Sequence, residues 1–148
     1  MSISKTYEDY IKDKLSNDIQ KNALDFAAFL RANDFSTEWN DEHNGWQIIH
    51  QGKIIVFSTV CDDNVFAIVF NSCDFSDGCS VDNDLKEFAW KHAAICPTSC
   101  GGTEICKMSQ KGMIFGKEYE NICVAPLECF NLDANELEKV QKLILMLI

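Results

Sequence analysis

Between Trp46 and Phe70 the chain carries three apolar, β-branched and aromatic runs, joined by connections too short for anything but antiparallel pairing. Trp46 to His50 meets Lys53 to Val60 across Gln51-Gly52, a two-residue connection in which glycine supplies the positive φ that tight hairpins need. Val65 to Phe70 follows Cys61-Asp62-Asp63-Asn64, so the three runs form a meander whose register is set locally. Both alternating faces are apolar: Ile55 and Phe57 point one way, Ile54, Val56 and Val60 the other, with Phe66 and Ile68 opposed to Val65 and Val69. Such a sheet needs cover on both sides. Helices are expected on one side, and more chain, a second subunit or a ligand on the other.

The flanking segments supply the helices. Tyr7, Ile11, Leu15 and Ile19 recur every fourth position, and helical spacing continues through Ala23, Phe26, Ala27 and Leu30. Ser16-Asn17-Asp18 is suited to cap a fresh start, which predicts a short helix followed by a longer one, and Asn33 is a stop because Asn tolerates the left-handed conformation. A polar loop with Asn40, Asp41, Glu42 and Asn44 then leads into the meander. Asp82 to Ile95 reads as a helix with Leu85, Phe88, Ala89, His92 and Ala93 on one stripe, stopped by Pro97. Pro97 to Lys117, with four of the seven glycines, reads as an irregular loop. Ile122 to Phe130 reads as a strand, and Asp133-Ala-Asn-Glu136 as a capping-box start to a final helix. The expected fold is α+β: an antiparallel sheet of four or five strands with helices packed on one face and a cysteine-containing loop, in a single domain over residues 1–148.

Cysteine is where chemistry is expected. The opening residues Met1 to Tyr10 lack the apolar stretch of an export signal, so a cytoplasmic protein is expected, and a reducing compartment favours thiols and metal ligands over structural disulfides. Of eight cysteines, Cys96, Cys100 and Cys106 fall within eleven residues, and Cys123 begins the next strand. Four thiolates surround Zn2+ tetrahedrally at about 2.3 Å, and a bound metal contributes to folding free energy, so a structural zinc site would organise the long loop. An iron-sulfur cluster, plain reduced thiols or a redox disulfide fit the same residues. Cys73 and Cys79 flank a turn that brings them together as a second pair, adds them to the first cluster or, as the favoured reading, leaves them as packing residues, which is also the reading for Cys61 and Cys129. His92, four residues before Cys96, is placed to ligate a metal or orient a thiolate.

Other classes are disfavoured. With 23 acidic against 13 basic side chains the formal charge is −10, which repels nucleic acid at long range. The longest apolar run, Leu143 to Ile148, falls far short of the roughly 20 residues that span a bilayer, so no membrane partner is expected. The chain has no nucleophile elbow, phosphate loop, dinucleotide fingerprint or His-Glu-x-x-His helix.

Phe88-Ala-Trp-Lys-His92, the cysteine loop, Ile114-Phe-Gly-Lys-Glu-Tyr-Glu-Asn-Ile-Cys123, the closing helix and the Leu24 to Asn33 helix together resemble a family of small, uncharacterised cysteine-rich proteins from anaerobic Gram-positive bacteria. In that family a loop with several cysteines precedes a Phe-Gly-Lys-Glu segment and a further Cys, matched here by Cys96, Cys100, Cys106, Phe115 to Glu118 and Cys123. The loop spacing departs from the more closely paired cysteines of the group. The resemblance implies one domain of this length and no particular substrate or catalytic residue.

The leading expectation is a small-molecule or partner-binding, regulatory domain, without evident enzymatic signature, in which Trp46, Phe57, Phe66, Phe70 and His92 are candidate ligand contacts. One alternative is a thiol-redox or cysteine-nucleophile protein using Cys96 or Cys100, although the negative end of a helix dipole disfavours a thiolate at Cys96. Another is an assembly protein that forms a homodimer through Leu145, Met146 and Ile148 of the last helix.

Overall fold

The Thr6 hydroxyl accepts a hydrogen bond from the Asp9 amide at 3.1 Å, satisfying one of the orphan donors that begin a helix. From this cap, in a computed structural model that describes residues 5–70, 81–95, 104, 107 and 109–148, α1 runs over Tyr7–Lys14 and α2 over Asn17–Ala32. The break falls at Ser16, as its neighbours predict, and the Ser16 amide is held by Asn64 Oδ1 at 2.8 Å. The stop differs by one residue: Asn33 caps α2 at φ −112°, and the left-handed turn is made by Asp34 at φ 63°.

The chain divides into two compact units, Met1–Ile68 with Cys129–Ile148, and Val69–Glu128. In the first, β1 (Ser36–Asn40), β2 (Gly45–His50), β3 (Lys53–Cys61) and the beginning of β4 (Val65–Phe70) are neighbours in that order, with β1, β2 and β3 antiparallel. The β2 to β3 turn is the two-residue one expected, with Gln51 at φ 50° and Gly52 at φ 79°. The Asn131 amide donates to Phe66 O at 2.7 Å while Asn131 Oδ1 accepts from the Phe66 amide, so one residue closes both polar groups of Phe66.

The simple alternation expected along β3 is broken by a bulge. Ile48 pairs with Val56 and Ile49 with Ile54, which leaves Ile55 as an extra residue. Ile54 is 37% exposed, whereas Val56, Ser58 and Val60 form the buried face and Phe57 and Thr59 are half-buried. The last helix, α4 (Ala134–Leu145), starts at the capping box read from sequence: Asp133 accepts from the Glu136 amide at 2.8 Å and Glu136 accepts from the Asp133 amide at 3.3 Å. Its Leu137, Val140, Leu143 and Ile144 are buried, as are Ala23, Phe26, Ala27 and Leu30 of α2, which packs against α4 as well as α1. Each large side chain buried in this way contributes about 1.5–3 kcal/mol relative to exposure.

In the second unit α3 covers Asn83–Lys91, capped by Asp82, whose carboxylate accepts from the Leu85 amide at 2.9 Å. It is followed by β5 (Ala93–Ile95), β6 (Gln110–Ile114) and β7 (Lys117–Phe130), whose residues up to Glu128 lie in this unit. Both β5 and β6 pair antiparallel with β7. Phe115 at φ 47° and Gly116 at φ 85° form the β6 to β7 turn. Trp90 donates its indole N–H to Ile114 O at 2.7 Å, and the Lys117 ammonium lies 5.7 Å from the Trp90 ring and 5.6 Å from that of Tyr119.

Three expectations are corrected. The described residues hold seven strands, not four or five, because β1 and β6 are polar and β5 is only three residues long, so none of them shows strand periodicity. The helix expected to reach Ile95 stops at Lys91: the stripe through His92 and Ala93 has helical spacing, yet Ala93 and Ile95 pair with Leu127 and Ile122 of β7. The segment expected to be irregular as far as Lys117 contains β6 and the start of β7. Of the helices, α1, α2 and α4 belong to the first unit and α3 to the second.

Candidate functional site

In the first unit a cleft of about 610 Å³ opens beside β1, bounded by the residues leading into α1, by Arg31 near the end of α2, and by Trp46 of β2. The Thr6 cap fixes Tyr7 as the first residue of α1, and Tyr10 follows one turn later on a neighbouring face. Trp39 and Trp46 are register partners on β1 and β2, their ring centroids 5.6 Å apart at 74°. The two helix tyrosines close on this pair: Tyr7 meets Trp46 edge-on at 5.5 Å, and Tyr10 meets Trp46 at 5.8 Å and Trp39 at 5.4 Å. Four aromatic rings thus hold one another in edge and tilted geometries, which adds about 0.5–1.5 kcal/mol per pair beyond area burial.

The polar groups of the cleft are arranged around these rings. Arg31 donates from Nη2 to Glu8 Oε1 and to Thr37 Oγ1, both at 2.8 Å, and from Nη1 to Phe35 O at 3.3 Å. Lys5 pairs with Asp13, and Trp39 Nε1 donates to Asp41 Oδ1 at 2.7 Å. The Tyr7 hydroxyl is completely buried against Ser58 Oγ at 2.7 Å. Burial pushes the Tyr7 phenol far above the ordinary range; the Ser58 hydrogen bond opposes that, Glu8 adds to it and Arg31 opposes it. Tyr7 is therefore a neutral structural group.

Trp46 is the exception to this pairing. It is 3% exposed, and its Nε1 meets no acceptor among the described residues. An indole N–H can only donate, and a buried donor left unmatched costs about 1–3 kcal/mol. None of the described lining residues is a His or Cys.

Of the five ligand contacts expected from sequence, Trp46 lines this cleft. Phe66 and Phe70 are core residues, 2% and 0% exposed, with Phe26 against Phe66 at 6.0 Å. Phe57 is half-buried beside the His43 ring at 5.4 Å, and His92 caps α3 in the second unit with its ring 4.5 Å from Phe88. Cys96, Cys100 and Cys106, with Cys73 and Cys79, lie outside the described residues, so the four-cysteine centre is represented only by Cys123, half-buried on β7. Among the described residues no three His, Cys, Asp or Glu side chains gather as metal ligands. Cys129 is buried as expected of a packing residue, whereas Cys61, at the end of β3, is exposed.

Sequence reasoning passed over Lys5, Arg31 and Trp39. The one signal for them is the pair Trp39 and Trp46 on either side of a polar turn, which places two indoles together once the intervening residues form a hairpin. A smaller hollow of about 400 Å³ lies between α2 and α4, lined by residues that include Asn22, Asp25, Leu137, Glu138 and Gln141. No described helix is long and apolar enough to cross a membrane. The chain matches no family model, no curated protein and no solved structure.

Proposed function

We propose that this protein is a binding module whose ligand seats in the cleft between β1 and the start of α1. The observation that carries the reading is a 610 Å³ cleft, of a size suited to a small molecule, lined by the half-buried Trp39 ring and the Arg31 guanidinium. The aromatic cluster supports it as well, because the half-buried Trp39 ring is held by Tyr10 and by the buried Trp46 before a ligand arrives. Of the five candidate contacts read from sequence, Trp46, Phe57, Phe66, Phe70 and His92, Trp46 is the one among the described lining residues of this cleft.

The test uses the full chain carrying Trp90→Phe, so that Trp39 and Trp46 are the two emitting indoles. A mixed set of acidic, basic and neutral small molecules is screened by emission shift and by thermal unfolding. The expected result is a saturable change in emission, accompanied by a rise in melting temperature and abolished by Trp39→Ala. If nothing in the set moves either signal at millimolar concentration, the cleft is not a ligand site.

A further inference from the structure

β1 is the outermost strand on its side of the sheet and pairs with β2 alone. In an antiparallel pair, alternate residues turn their N–H and C=O toward the partner strand and the residues between turn theirs away. Among the described residues no backbone hydrogen bond reaches Ser36–Asn40 from the side away from β2. That edge is a row of unused donors and acceptors, the arrangement to which an extended peptide adds as a further strand.

The cleft lies along this edge. Ser36, Thr37, Glu38 and Trp39 all line it, although side chains alternate between the two faces of a strand, so the cleft follows the edge of β1 and not one of its faces. Lys5, Thr6 and Arg31 stand among the other lining residues, so the edge opens into a trench and not onto bare surface.

Charge selects the occupant. Both cations of the cleft are engaged, Lys5 with Asp13 and Arg31 with Glu8. Glu38 is exposed, and no ion pair among the described residues includes it. A strand laid on β1 sets one of its residues directly opposite Glu38, where an opposite charge is favourable and a like charge unfavourable. The formal charge of −10 draws a basic segment toward the chain. A second copy is a poorer occupant, because antiparallel pairing of β1 with itself about its centre puts two Glu38 carboxylates opposite one another.

From these observations we infer that β1 takes up an extended basic peptide as an added strand, its main chain paired with Ser36–Asn40 and a Lys or Arg opposite Glu38. The neighbouring side chains of that strand turn to the other face, where the half-buried Trp39 ring offers apolar contact. The inference rests on the reading of this cleft as a binding site and names its ligand.

The probe is the end-blocked pentapeptide Thr-Val-Lys-Val-Thr, compared with Thr-Val-Glu-Val-Thr. The readout is the backbone amide signals in a proton–nitrogen correlation spectrum of the full chain. The lysine peptide is expected to move the signals of Ser36–Asn40 saturably, to slow solvent exchange of the amides that face the cleft, and to bind at least threefold tighter than the glutamate peptide. Glu38→Lys is expected to reverse that order, and an undisturbed remainder of its spectrum certifies its fold. Methylating the backbone nitrogens of one alternate set of residues in the lysine peptide should abolish binding, and methylating the other set should leave it, because an added strand pairs along one of its own edges.

The inference is overturned if the lysine peptide leaves Ser36–Asn40 unmoved, if the two methylated peptides bind alike, or if folded Glu38→Lys keeps the original preference. A doubled mass, with those amides already protected in the absence of peptide, assigns the edge to a second copy and overturns it too. A small molecule that shifts Trp39 emission while neither peptide binds sinks the inference and leaves the binding reading standing. A folded chain that takes neither removes both.

Discussion

Tyr7 Oη and Ser58 Oγ lie 2.7 Å apart, 51 residues separated in the chain, with neither residue exposed to solvent. This contact ties the first turn of α1 to the buried face of β3 and sets the depth at which α1 sits beside the cleft. Removing Ser58 Oγ leaves a buried phenol without that partner, so Ser58→Ala is expected to lower unfolding free energy by about 1–3 kcal/mol. Urea denaturation of Ser58→Ala, Tyr7→Phe and the double variant checks it. The double variant should cost less than the sum of the two singles, because both halves of the pair are then gone.

The same burial makes stability depend on alkaline pH. The Tyr7 phenol is raised in the folded state by burial, relative to its ordinary value near 10 in the unfolded chain. The folded state therefore retains a proton that the unfolded state releases, so stability is fully present below about pH 10 and falls as pH rises beyond it. Unfolding free energies of the native chain and of Tyr7→Phe, measured between pH 8 and 11, should diverge from one another above about pH 10, with the native chain losing more. Parallel curves would exclude Tyr7 as the cause.

At the start of α4, Asp133 takes a helix amide that has no other intrahelical acceptor, and Glu136 returns the contact. Asp133→Ala is expected to cost about 0.5–2 kcal/mol, and Asp133→Asn less, since asparagine also accepts at this position. Thermal unfolding followed by circular dichroism at neutral pH resolves the difference.

Thiol reactivity separates the cysteines that sit in strands. Cys61 is exposed and Cys129 is 1% exposed. Brief treatment of the native chain with N-ethylmaleimide, followed by peptide mass mapping, is expected to label Cys61 at least tenfold faster than Cys129. Equal rates would show that β7 opens near Cys129 on the timescale of labelling.

What could be read in advance was chemistry acting within a few residues. Gln51-Gly52 forces the hairpin, and Asp133 with Glu136 closes the capping box, each through side chain or backbone preferences that need no distant partner, while the break expected at Ser16-Asn17-Asp18 is held by Asn64 rather than by a side-chain cap of its own. The strands β1 and β6 escaped notice because Ser36-Thr-Glu-Trp-Asn40 and Gln110-Lys-Gly-Met-Ile114 are largely polar; pairing with a neighbouring strand, not burial of an alternating face, makes them strands. The end of α3 was missed because His92-Ala-Ala-Ile95 contains no breaker before Pro97. The cleft was legible only at Trp46, since Lys5, Arg31 and Trp39 approach it from separate segments and nothing in their spacing announces that meeting.

Ile55 has no opposite number on β2, and it is buried together with Val56, so the surplus residue lets β3 turn two consecutive side chains inward where strict alternation would turn one. A chain lacking Ile55 would still set Val56 against Ile48, Phe57 against Gln47 and Ser58 against Trp46. The polar anchor beneath the first turn of α1 is therefore indifferent to the insertion, which adds hydrocarbon to the interior and leaves the placement of the hydroxyl to the regular ladder beyond it.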